Sequence, residues 1–169
     1  MTINWTRTDG GPFICASPQV GKLWRGVCGT SIGAVETDYE RACAEGDYLG
    51  IVACGASQVL VLGDEPAQSA FLSTSTGLVI ARWIHCESAD TARSALEKIP
   101  ADLPSLQSPV RLRLDEPELW LFDAAADSVN ESTGVAAHMP AGMFDITVER
   151  YVQGRVFEFW LHRLIRSSE

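Results

Sequence analysis

The chain has 169 residues, 46% of them apolar and 21% charged, enough to bury a sizeable core and too apolar for a disordered segment. Its 22 Asp and Glu against 13 Lys and Arg leave a net charge of −9 and a pI near 4.7. That balance argues against nucleic-acid binding, which draws its affinity from neutralised phosphates, and against docking on an anionic membrane, while suiting a basic protein partner.

The elements follow from turn chemistry and hydrophobic spacing. Asp9-Gly10-Gly11-Pro12 turns the chain into a short strand at 13–16. A loop follows from Lys22 to Gly33, rich in glycine around Trp24-Arg25-Gly26. Thr37 then predicts a helix start. Glu40 lies three residues on, as a capping box requires, Asp38 and Glu40 sit in the first turn where the helix dipole favours negative charge, and Gly46 closes the segment. Apolar runs at 48–53 and 58–62 flank Cys54-Gly55-Ala56-Ser57 and predict a hairpin; Gly63-Asp64-Glu65-Pro66 ends it. A second hairpin is expected from 71–72 and 78–84 around residues 73–77.

Residues 88–99 carry the best helical spacing, with Ser88 or Asp90 as cap and Pro100 as stop. Segment 103–109, rich in Pro and Ser, reads as an exposed connector and as the one candidate linker. Strands are expected at 110–114 and 119–122, a polar loop at 124–134, and a closing hairpin from 143–151 and 156–165. In that last strand Phe157, Phe159, Leu161 and Arg163 fall on one face and Glu158, Trp160 and His162 on the other. Strands joined by short turns imply antiparallel pairing. The expected fold is α+β, a mostly antiparallel β-sheet with one or two short helices packed on it, and residues 1–169 form a single domain.

No basic region followed by an apolar stretch opens the sequence, and the longest uncharged apolar run, 49–63, is broken by glycines and polar residues. The expected location is therefore cytoplasmic, with no membrane contact. Five cysteines (Cys15, Cys28, Cys43, Cys54, Cys86) and three dispersed histidines contain no short metal-ligand spacing, so no metal or cofactor is expected and the thiols read as buried, reduced side chains. No nucleophile elbow, phosphate loop or dinucleotide fingerprint occurs. Asp64-Glu65 and Asp115-Glu116 each precede a proline, where turn formation explains them better than acid–base catalysis. No catalytic residue is assigned.

Several segments, taken in order, resemble the immunity protein 21 family of bacterial polymorphic-toxin systems. They are Asp9-Gly10-Gly11-Pro12, Trp24-Arg25-Gly26, Thr37-Asp38-Tyr39-Glu40-Arg41-Ala42-Cys43, Val61-Leu62-Gly63-Asp64-Glu65-Pro66, Arg82-Trp83, Leu121-Phe122-Asp123-Ala124-Ala125 and Pro140-Ala141-Gly142-Met143-Phe144. The similarity runs from Trp5 to about Val148. It implies a protein without enzymatic activity that binds and blocks a cognate toxin. The acidity suits a basic toxin such as a nuclease, whose phosphate cleft carboxylates could fill.

Between Glu36 and Glu65 seven acids face Arg41 alone. The partner-binding candidates are therefore Asp38, Tyr39, Glu40, Asp47, Asp64 and Glu65, with Trp160 added as an aromatic on the polar face of the last strand. Arg41 is the candidate for an internal ion pair. Two other readings stand beside this one: a small enzyme using carboxylates near Asp64, and a homo-oligomeric structural protein whose last strand pairs edge to edge through Phe157 and Phe159. The inhibitor itself is expected as a monomer or homodimer.

Overall fold

The turns at 54–57 and 73–77 both close hairpins, and the strands that flank them decide the architecture. The computed structural model describes residues 2–63, 67–129 and 134–167. In it, β1 (Phe13–Ala16), β2 (Leu49–Cys54), β3 (Ser57–Leu62), β7 (Glu118–Asp123) and β8 (Gly134–His138) form one antiparallel sheet, in the order β2-β3-β1-β7-β8. A second antiparallel sheet contains β4 (Ser69–Thr74), β5 (Gly77–Cys86), β6 (Val110–Leu114), β9 (Gly142–Gln153) and β10 (Phe157–Arg166), in the order β4-β5-β10-β9-β6. Three short helices, α1 (Pro18–Gly21), α2 (Asp38–Cys43) and α3 (Ala89–Leu96), complete an α+β fold.

Side-chain alternation makes each sheet two-faced, and the structure covers all four faces. Phe13, Leu60, Leu62 and Leu121 of the first sheet meet Ile80, Leu112, Phe144, Ile146 and Leu164 of the second, forming the central core. The outer face of the first sheet buries Ile14, Val59, Val61 and Phe122 beneath Trp24 and Ala42. That of the second buries Val79, Phe157, Phe159 and Leu161 beneath Ala92 and Leu96 of α3. Each fully buried leucine or phenylalanine contributes about 1.5–3 kcal/mol, so the central layer dominates the stability.

Helix signals are realised where they were clearest. Ser88 caps α3, its hydroxyl accepting the Thr91 N–H at 3.1 Å. At α2 the Thr37 hydroxyl accepts from the Glu40 N–H at 3.1 Å while the Glu40 carboxylate accepts from the Thr37 N–H at 2.8 Å. Strand β8 was not foreseen: Gly134-Val-Ala-Ala-His138 has little β-branched character, and its pairing with β7 forms it.

Three expectations need correction. The last strand has no free edge, because β10 lies between β5 and β9 and Phe157 and Phe159 are buried; edge-to-edge assembly through it is closed. Its supposedly polar face points partly inward: His162 is fully buried among central-core neighbours, with Ile80 and Val148 opposite it. Arg163, on the other face, makes a buried ion pair with Glu149 (Nε–Oε2 2.7 Å) and also donates to the Pro100 carbonyl.

Segment 103–109 is a brace rather than a free linker. Gln107 accepts the Leu49 N–H through Oε1 (3.2 Å) and donates from Nε2 to the Leu49 carbonyl (2.9 Å), while the Leu106 N–H donates to the Val148 carbonyl at 2.7 Å. Strands of both sheets are tied by that one segment. Among the thiols, Cys15 and Cys54 are buried as expected, burial pushing both thiols up; Cys28 is exposed, and Cys43 and Cys86 are half-buried.

Candidate functional site

Asp38 organises the outer face of the first sheet. Its carboxylate is fully buried and accepts the Arg25 N–H at 2.9 Å, the Ser31 N–H at 2.9 Å and the Ser31 hydroxyl at 3.1 Å, and it pairs with the Arg41 guanidinium. Its own N–H donates to the Gly29 carbonyl at 2.8 Å. Burial alone would raise its pKa; the backbone donors of Ser31 and Arg25, with Arg41 and the Ser31 hydroxyl, outweigh that and hold the carboxyl below its ordinary range. Arg41 also donates to the Ala53 carbonyl at 2.9 Å, fastening α2 to β2.

The loop before α2 is thereby fixed at both ends. At its start Trp24 is fully buried and its indole N–H donates to the Ala124 carbonyl at 2.8 Å. Gly26 follows with φ +50°, where a Cβ would come within 2.4 Å of the Ala125 and Ala126 carbonyl oxygens, so only glycine fits. Within the loop, the Thr30 hydroxyl accepts the Ile32 and Ala34 N–H groups, both at 3.3 Å. The Asp9 N–H and the Ala125 N–H share the Asp123 carboxylate, at 2.8 and 2.9 Å. Tyr39 is half-buried with its ring against Gly11, where a Cβ would approach Cε2 to 2.7 Å.

Four segments scattered through the sequence, around Asp9, Trp24, Asp38 and Asp123, therefore assemble into one structure. A further pair meets elsewhere: the Arg82 guanidinium donates to the Gly63 carbonyl at 3.1 Å, and the Gly63 N–H donates to the Tyr48 carbonyl at 3.0 Å.

The acidic segment is divided rather than gathered. Asp38 is removed from the surface altogether, since a carboxylate carrying this many donors stabilises the loop instead of meeting a partner. Tyr39 is packed against the loop from Asp9. Glu40 is exposed, held by Thr37, whose N–H and hydroxyl lower its pKa. Asp47 is exposed and lies just before β2, at the opposite end of that strand from the Arg41–Ala53 contact; the extended stretch from Leu49 to Ala53 alone spans about 13 Å. Asp64 and Glu65 lie outside the described residues. Trp160 is half-buried near Asp47, edge-on to Tyr48 (ring centroids 4.8 Å, 84°), and its indole N–H donates to Glu158 at 3.3 Å.

The feature that residue patterns did not single out is apolar. Leu23, Val27, Ile32 and Val35, all in the loop that Asp38 fixes, are 49%, 55%, 42% and 100% exposed. Their irregular spacing carries no helical or strand period, so the loop reads from sequence only as flexible glycine-rich chain; the signal available was a run of large aliphatics among turn residues.

Beside Asp9 and Asp123 lies an open cleft of about 550 Å³ that Trp5, Thr6 and Arg7 also line. Among the described residues no group of three or more His, Cys, Asp or Glu could hold a metal ion, and no helix is long and apolar enough to cross a membrane.

The sequence matches the family model described as immunity protein 21 over residues 4–154. The chain belongs to the immunity protein 21 family. The match takes in both the outer-face structure built around Asp38 and the Arg82–Gly63 contact, and it ends in the turn before β10, leaving Trp160 beyond it. Membership supports an immunity, or antitoxin, role and implies a cognate toxin as partner. No curated protein and no solved structure matches the chain.

Proposed function

We propose that this chain neutralises a cognate polymorphic or contact-delivered bacterial toxin in the cytoplasm by binding it, with no reaction of its own. The observation that carries the reading is the family match across residues 4–154. The outer face of the first sheet supports it: the least solvated carboxylate there, Asp38, is committed to holding a loop in place, an arrangement suited to presenting a surface rather than to moving protons. Such an inhibitor acts as one domain, a monomer or homodimer, and needs no cofactor.

The charge of −9 fits a basic toxin, with a nuclease as the leading class, because carboxylates can occupy the place of phosphates. Glu40 and Asp47 are the exposed acids from which such attraction would come, with Asp64 and Glu65 as candidates on sequence grounds. Trp160 would contribute its open edge beside Asp47.

Three measurements test this. Co-expression with its cognate toxin should restore growth, and failure to protect would sink the function. Complex affinity should fall as salt rises, because exposed charges are screened; a flat dependence would remove the electrostatic part. Glu40→Lys with Asp47→Lys should slow association about tenfold at low salt while leaving dissociation nearly unchanged.

A further inference from the structure

We infer that the loop from Leu23 to Val35 is the main toxin contact, its aliphatic side chains entering an apolar recess rimmed by Lys and Arg on the toxin; this rests on the function proposed above. Isolated exposed aliphatics are common on protein surfaces and need no explanation. Here four fall within thirteen residues of a single loop, and Val35 is wholly solvated. A loop with no partner to meet gains nothing from that composition.

The loop is also built to hold its shape. The Arg25 and Ser31 N–H groups end on the buried Asp38 carboxylate, Thr30 ties Ile32 and Ala34, and Trp24 anchors the start to Ala124. Ordering is completed on folding, so association does not bear that entropy again, which is how a modest surface reaches high affinity. Buried aliphatic contacts of this kind set the dissociation rate, whereas the surrounding charges set the encounter rate.

Charge identifies the partner's chemistry. At the α2 end, the exposed acids Glu36 and Glu40 follow Val35 in the chain. Arg25 is paired with Asp127 at 3.3 Å, and Lys22 lies at the far end of the loop. A held loop of exposed aliphatics, with acids following its most exposed residue, is complementary to an apolar recess with a basic border. A second copy of this chain, also at −9, is repelled overall where a basic toxin is attracted.

The test uses the full chain and the purified toxin module against which it protects in co-expression. Val35 is fully solvated and Ile32 is 42% exposed, so the double variant Ile32→Asp/Val35→Asp should keep a melting temperature within a few degrees of wild type. It should weaken toxin binding at least about 100-fold, mainly through faster dissociation. Val152→Asp, at an exposed aliphatic on β9, should leave binding within about threefold. Wild-type binding that the double variant retains overturns this inference and leaves the proposed function standing. So does sizing that shows a dimer of this chain dispersed by the double variant, since a second copy would then occupy the loop. If the wild-type chain neither binds nor protects, the proposed function itself fails, and this inference with it.

Discussion

Asp38 and His162 are both ionisable and both without exposed surface, and the fold surrounds them differently. Around Asp38 converge two backbone N–H groups, a hydroxyl and a guanidinium. His162 sits between Ile80 and Val148 in the layer between the sheets, and among the described residues neither of its ring nitrogens has a hydrogen-bond partner. Burial, helped by the nearby Arg82 charge, pushes its pKa well below the ordinary value of 6.5. A buried charge given every partner becomes a fixture that positions its neighbours; a buried imidazole given none must stay neutral, and the fold carries the cost of keeping it so.

The largest effect should come from removing the fixture. Asp38→Ala leaves Arg41 without its carboxylate and two N–H groups without an acceptor, at a cost of about 3–5 kcal/mol in urea unfolding. Hydrogen exchange should then quicken at the Arg25 and Ser31 amides well before the central strands. Uniform quickening throughout both sheets would show that Asp38 stabilises the whole fold and not the loop in particular.

His162 should reveal itself through pH. Its folded pKa is depressed, so below 6.5 the unfolded chain binds a proton that the folded chain refuses, and stability falls with decreasing pH by at most about 1.4 kcal/mol per unit. His162→Leu should flatten that slope between pH 6.5 and 5. Asp38 also has a depressed pKa, but as a carboxylate its contribution is complete above its unfolded value near 4 and disappears only below that. The two sites thus titrate in separate windows, and a slope that survives in His162→Leu would break the contrast.

The smallest effect concerns the helix cap. Thr37→Ala removes the capping box and should cost about 1 kcal/mol, less than Asp38→Ala, with Arg25 and Ser31 still protected. Equal losses from both variants would mean that the cap, not the carboxylate, holds the loop.

Much of the fold was legible because it depends on neighbours in sequence. Thr37 and Glu40 announce their reciprocal hydrogen bonds three residues apart, and Gly55 and Gly77 mark hairpins whose strands alternate cleanly. What sequence could not carry is long-range. Asp38 in a first helical turn looks like a solvated acid answering the helix dipole; only the loop thirteen residues upstream, folded onto it, buries it. Trp160 and His162 alternate with phenylalanines and so look solvent-facing, until a second sheet covers that side. Strand β8 lacks any propensity of its own and exists through β7. The candidate site was accordingly half visible: its anchoring segments stood out as motifs, while the aliphatic loop they hold did not.

Gln107 has a consequence of its own. By meeting both backbone groups of Leu49, its amide imitates one residue of a neighbouring strand at the outer border of β2, where Arg41 also takes the Ala53 carbonyl. A border partly occupied in this way is a poorer template for a neighbouring copy. That single side chain therefore leaves β2 less open to a further strand than its place at the end of the sheet suggests.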